Sequence, residues 1–158
     1  MGRVRWVKEP GVYDVEECEE WVGFCERQNQ ALACALKVDT GMNRLGLSAD
    51  ELDELFDAID SGKQKLTLFK PVLLMSHLAC ADEDSAMNAR QIDAFRTCRS
   101  AVRHKEASLA NSAGIALGGD YGFDLTRPGL SLYGGIPRSE LAGDIRQVAY
   151  PEARVIQC

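Results

Sequence analysis

Residues 36–47, "LKVDTGMNRLGL", read as the end of a β-strand that runs into a glycine-bounded turn. The stretch before it, "ALACALKVD", alternates Leu32, Cys34, Leu36 and Val38 with small residues and Lys37, the pattern of a strand with a mostly apolar face. Gly41 and Gly46 suit the turn. The turn has no use of its own for Lys37, Asp39 and Arg44. One reading is a solvated turn with a local ion pair. The other is a site, because a lysine at a buried strand terminus is costly unless it has a partner.

Working outward, Asp14 and Glu17 form a capping-box pattern, and Val15, Cys18, Val22 and Cys25 recur on one helical face. The acidic run "DVEECEE" is that helix's solvent face. Past the turn, Ser48 and Glu51 form a second capping box ahead of Leu52, Leu55, Phe56 and Ile59, with Gly62 as the stop. "PVLLMSHLA", residues 71–79, is a short continuous apolar run, as in a parallel strand covered on both faces, and it ends in Ser76-His77. A third helix is predicted over residues 84–102, where Ile92, Phe95, Cys98 or Arg99, and Val102 give a weaker periodicity. "ASLANSAG" reads as a short strand broken at Asn111-Ser112, and "FDLTRPGLSLYGG" as a strand stopped at Arg127 by Pro128 and Gly129. Tyr133 is read as packing.

Strands that alternate with helices over short connections are parallel and joined by right-handed crossovers. The predicted fold is therefore α/β, a partial (β/α) barrel of about four parallel strands with flanking helices. The polar residues fall in one place: Lys37 and Asp39, His77, Asn111 and Ser112, and Arg127 each follow a candidate strand's C-terminal end. In a (β/α) barrel that edge carries the active site.

Composition narrows the partners. The chain has 158 residues, 46% hydrophobic and 27% charged, with a net charge of -6. An acidic chain without a basic stripe is unsuited to a phosphate-backbone partner, so nucleic acid is not expected. No stretch approaches the roughly 18 apolar residues of a membrane span, and residues 1–17 lack the apolar core of a secretion signal. The six cysteines show no Cys-x-x-Cys spacing; a reduced compartment, the cytoplasm, is the expectation. With His77 and His104 as the sole histidines, no metal site is expected. Asn111-Ser112 could cap a short helix, or could join helix N-terminal N–H groups in an anion cradle. Arg127 places a permanent charge at the same edge. The residues thus describe a barrel-like protein holding an anionic, phosphorylated ligand between Arg127, Asn111-Ser112 and the Gly129 turn.

"KVDTGMNRLG", "MSHLACAD", "LANSAG" and "DLTRPGLSLYGG", in this order and with these separations, resemble the alanine racemase family. The resemblance runs from about Val12 to Gln157 and corresponds to the C-terminal half of that family's TIM-type barrel, with residues 1–150 as the partial barrel and 151–158 as the start of its following β domain. It implies pyridoxal 5'-phosphate as cofactor and the interconversion of L- and D-alanine, or of a related amino acid, for cell-wall synthesis. By the same resemblance Arg127 hydrogen-bonds the pyridine nitrogen and His77 supports that arginine. Asn111, Ser112 and the N–H groups of Gly129 and Leu130 hold the phosphate. Arg44 sits by the substrate carboxylate, Lys37 orients Arg44, in some members as a carbamate, and Asp39 fixes the turn.

The resemblance also implies two bases, a Schiff-base lysine that leads into Ala-Tyr-Gly-His-Gly and a tyrosine from the other subunit's C-terminal domain. Neither segment occurs in the 158 residues. Two expectations follow: a truncated or separately encoded piece of a racemase, or a non-catalytic half-barrel that binds pyridoxal phosphate or phosphate. An opened barrel would present unpaired strand edges and the inward side chains of Leu36 and Leu74. A homo-oligomer or a partner chain is expected to cover them.

Overall fold

The computed structural model describes residues 8–60, 68–154 and 157. Four strands form one sheet in the order β1-β2-β3-β4, every neighbouring pair parallel. They are β1 (Gly11–Val12), β2 (Ala33–Lys37), β3 (Lys70–Met75) and β4 (Glu106–Ser108). Helices α1 (Val15–Arg27), α2 (Ala49–Asp60) and α3 (Ala86–Ala101) make the crossovers, and the short α4 (Ser112–Ala116) and α5 (Gly119–Gly122) follow β4. Sequential parallel strands with a helix after each are the repeating unit of a (β/α) barrel.

Local chemistry sets the helix starts. The Asp14 carboxylate accepts from the Glu17 N–H, and the Glu17 carboxylate reaches back to Tyr13 rather than to Asp14 itself. At α2 the reciprocal pair is complete, Ser48 N–H to Glu51 and Glu51 N–H to Ser48. Helix α3 begins after Ser85, whose hydroxyl accepts from Met87 N–H. The Gly62 stop lies outside the described residues. In β3, Val72 is the extra residue of an irregularity opposite Cys34 and Ala35; it falls beside Pro71, which has no N–H for a ladder.

The main core lies between sheet and helices, where Cys18 and Val22 of α1, Cys34, Leu36 and Val38, Leu52 and Leu55 of α2, Leu74, and Ile92 and Phe95 of α3 pack together. This corrects the expectation that Leu36 and Leu74 face the open side. Both are fully buried on the helix side, because the pleat sends even-numbered β2 residues outward to the helices and Ala35 and Lys37 inward. The inner face carries Ala35 and Leu73 with Met75 beside them, and Leu125 lies over it. Leu125 also accounts for a second correction, since residues 123–127 are not a ladder strand. Asp124 and Leu125 N–H both donate to the Ala107 carbonyl, the Asp124 carboxylate accepts the Ala107 N–H, and the Ser108 hydroxyl donates to the Leu125 carbonyl. Side chains thus take the Ala107 N–H and the Leu125 carbonyl, groups that a regular fifth strand would pair through its backbone. Tyr133 is a third: it is 66% exposed in a 3-10 turn, Leu130–Tyr133, and is not packed.

Replacing Leu36 with Ala should lower the unfolding free energy by about 2–5 kcal/mol, as for other fully buried leucines. Urea unfolding checks it. A loss under about 0.5 kcal/mol, typical of an exposed position, would contradict the inside-out assignment of β2.

Candidate functional site

The loop after β2 is built around one carboxylate. Asp39 accepts the N–H groups of Gly41, Met42 and Asn43 at 2.9–3.0 Å, the closest contact of each, which satisfies three donors that the turn would otherwise leave open. The loop closes where Leu47 N–H meets the Lys37 carbonyl and Asp39 N–H meets the Leu47 carbonyl. Gly46 allows this closure: its φ is +120°, and a Cβ there would lie 2.7 Å from the Val38 carbonyl carbon. Asp39 therefore serves the turn. Lys37 is released from local pairing and left, 8% exposed, at the sheet edge, its ammonium 5.8 Å from the Tyr13 ring centre.

Arg127 ties the edge together. Its Nη1 donates to the carbonyl of Ser108 at 2.9 Å and to the Ser108 hydroxyl, and its Nη2 donates to the carbonyl of Ser76. Those carbonyls sit at the C-terminal ends of β4 and β3. Neither contact uses Nε. The Arg127 N–H is itself bonded to the Ala110 carbonyl at 2.9 Å. Burial draws its pKa down to about 10, so the guanidinium stays charged at neutral pH.

Asn111 caps α4, with Oδ1 accepting from Gly114 N–H at 2.9 Å and Nδ2 lying 3.4 Å from His77 Nε2. The Ser112 hydroxyl accepts from Gly129 N–H at 2.9 Å and from Ser131 N–H at 3.2 Å. The Gly129 N–H expected to face a phosphate is thus engaged by Ser112, and this hydroxyl gathers the two N–H groups beneath the cleft. The cleft itself has a volume of about 430 Å³ and is lined by His77, Asn111, Ser112, Arg127, Gly129 and Leu130, among others. Six of the nine residues singled out in the sequence therefore line one cleft, and Asp39 serves the turn. Lys37 and Arg44 do not line it but act on it through charge. Burial first, and then Arg127, Lys37 and Arg44, depress the His77 pKa; burial first, and then Arg44 and Arg127, depress that of Lys37. Arg44 is exposed at the rim.

The residue that sequence reading missed is Gln91. It is fully buried on α3, where Oε1 accepts from Ala79 N–H at 2.8 Å and Nε2 donates to the His77 carbonyl at 2.9 Å and to Thr40 Oγ1 at 3.2 Å. A polar residue one place ahead of Ile92, on the helix's inner face, was its sequence signal.

The cleft lies at the C-terminal edge of parallel β/α units, the place where a (β/α) barrel builds its site, and its charge is cationic. Residues 4–137 match the family model "Alanine racemase, N-terminal domain", and the chain belongs to that family. It is 54% identical over 163 aligned positions to the biosynthetic alanine racemase of Agrobacterium fabrum, covering 99% of this chain and 40% of that protein. It is 42% identical to the alanine racemase of Rhodospirillum rubrum, covering 94% of this chain and 39% of that one. Among solved structures, alanine racemase from Bartonella henselae with covalently bound pyridoxal phosphate superposes with a TM-score of 0.73 at 33% identity, over 82% of this chain and 37% of that one. The enzyme from Streptomyces coelicolor A3(2) gives 0.73 at 30% identity, over 83% and 36%. The chain thus spans about 40% of the length of the curated relatives that it matches.

The His77 environment predicts a pH dependence. The folded chain holds this imidazole below its ordinary value of 6.5, so the unfolded chain binds the proton more tightly. Its contribution to stability is complete above about pH 6.5 and is lost as pH falls below that value toward the depressed one. His77→Gln should flatten the fall in stability between about pH 7 and pH 5, read from urea unfolding at each pH. An unchanged slope would contradict the burial assigned to the ring.

Proposed function

We propose that this chain forms the part of an alanine racemase barrel that holds pyridoxal phosphate and orients an amino-acid substrate, alanine or a close relative, in the cytoplasm. The observation that carries the reading is the Arg127 guanidinium, fixed to the ends of β3 and β4 with Nε outside those bonds and lining the cleft with His77. The donor set fits the cofactor. Arg127 is suited to meet a pyridine nitrogen as a donor, and a charged donor that does not give up its proton leaves that nitrogen unprotonated. Ser112 suits a phosphate, whose oxygens would replace its hydroxyl as acceptor of the Gly129 N–H. Arg44 at the rim suits a substrate carboxylate, with Lys37 behind it to set its position.

Bound there, pyridoxal phosphate supplies the conjugated system that accepts electrons when an amino acid loses its α-proton. Moving that proton between faces requires a positioned base on each side. In this reading His77 is not one of them; its place is beside Arg127, which it supports. In this reading the lysine and tyrosine bases belong to polypeptide outside these 158 residues, in the same protein or in a partner subunit. An open face on the molecule supports such a partner. The β1 edge borders a groove of about 730 Å³ lined in part by Gly11, Trp21 and Phe24, and Leu132, Tyr133 and Tyr150 are 61–73% exposed.

Two outcomes test the reading. The chain should bind pyridoxal phosphate reversibly, and Arg127→Ala should weaken binding about tenfold or more, the worth of a charged hydrogen bond; absorbance titration reads it, and equal binding by both forms would contradict the assignment. With cofactor but without further polypeptide, exchange of the L-alanine α-proton into D2O should match cofactor alone. A rate well above that control, abolished by Arg127→Ala, would place a complete catalyst in these residues.

A further inference from the structure

We propose that Gln91 is the positioning residue of this cleft, a side chain on the outer helix layer that fixes His77 directly and Arg127 through Thr40 and Ser76. The proposal rests on the cofactor-site reading above and adds a residue to it. Helix α3 packs behind the sheet, yet the Gln91 amide reaches two βα loops at once. It takes the Ala79 N–H and gives its own hydrogens to the His77 carbonyl and Thr40 Oγ1. Thr40 Oγ1 lies 2.9 Å from Ser76 Oγ, and the Ser76 carbonyl receives Arg127 Nη2. All three partners are buried or partly buried: Gln91 is fully enclosed, Thr40 is 8% exposed and Ser76 1%.

The amide's two ends are not interchangeable. Its oxygen meets a donor and its nitrogen meets two acceptors, so the orientation is fixed by the network. No apolar side chain satisfies these loops, and a carboxylate would meet the His77 carbonyl without a hydrogen to offer. Removing the amide frees the backbone on both sides of the His77 ring. That ring is faced by Asn111 from the start of α4, by Arg127, and by Lys37 and Arg44 from the β2 strand and loop.

The test uses the whole chain with Gln91→Met, which keeps the volume and removes the amide, and Thr40→Val, which removes the middle link and leaves the helix intact. Phe95→Leu, a loss of core packing on the same helix, is the control for stability alone. With His77 and His104 as the two histidines, the His77 ring proton is followed in an NMR pH titration. Gln91→Met should raise the His77 midpoint toward its ordinary value and weaken pyridoxal phosphate binding about tenfold; Thr40→Val should move both in the same direction by less. Phe95→Leu should lower stability and leave the His77 midpoint in place. If Gln91→Met fails to fold, Thr40→Val alone decides. His77 midpoints that stay put, or that move equally in Phe95→Leu, would overturn the proposal. A wild-type chain that binds no pyridoxal phosphate, with the His77 shift still present, would sink the cofactor reading and leave the positioning role of Gln91 standing.

Discussion

A guanidinium held against the C-terminal ends of two parallel strands organises this molecule. Arg127 donates to the Ser76 carbonyl and adds a second hydrogen bond to the Ser108 carbonyl, which already accepts the Ser76 N–H, and in return those carbonyls fix a charge that burial alone would disfavour. The chain after β4 must therefore double back along the sheet to deliver it. Asp124, Leu125 and Ser108 make that return with side-chain bonds mixed among a few backbone ones. Leu125 then covers the inner face over Ala35 and Leu73, so the residue that brings the charge to the edge also seals the barrel's interior beneath it.

The other charges follow from the same geometry. The loop after β2 closes on Asp39 and Gly46, which leaves Lys37 inward and Arg44 at the rim. Burial first, and then the charges of Arg127, Lys37 and Arg44, hold the His77 pKa below its ordinary value. Against a net charge of -6 for the whole chain, these three cations are a local inversion of sign. The acidic residues gather elsewhere, on the exposed sides of α1 and α2, where Glu16, Glu19, Glu20 and Asp50 meet solvent. In the proposed reading, a phosphorylated, carboxylate-bearing ligand is drawn to this edge.

The sequence made the strand ends and their polar residues legible because the period of each apolar run stops where a charged or capping residue begins. Lys37, His77, Asn111 and Arg127 were placed at one edge on that ground, and all four lie there. Two features were hidden. The inward or outward sense of β2 depends on which side the helices pack, and Leu36 and Leu74 are apolar on either reading. The backbone of residues 123–127 resembles a strand in composition, but Asp124 and Ser108 satisfy the neighbouring groups first, a competition between side chain and ladder that periodicity does not register. Gln91 was hidden for a third reason: a glutamine in a helix is ordinarily solvated, and only the loops packed over it turn it into a tie. The roles of the cleft residues toward a cofactor came from resemblance to a family, whereas their convergence came from the strand pattern.

The account stands on the Nε–H of Arg127 being the donor that the cleft offers to a ligand. The direct measurement is the 15N–1H signal of that group in the chain as pyridoxal phosphate is added. On this account the Arg127 Nε–H signal shifts and its exchange with water slows, together with the amide signals of Ser112, Gly129 and Ser131, while Lys105 and Glu106 at the opposite end of the sheet do not move. Shifts that cluster at Lys105 and Glu106, with Arg127 unchanged at saturation, would contradict it.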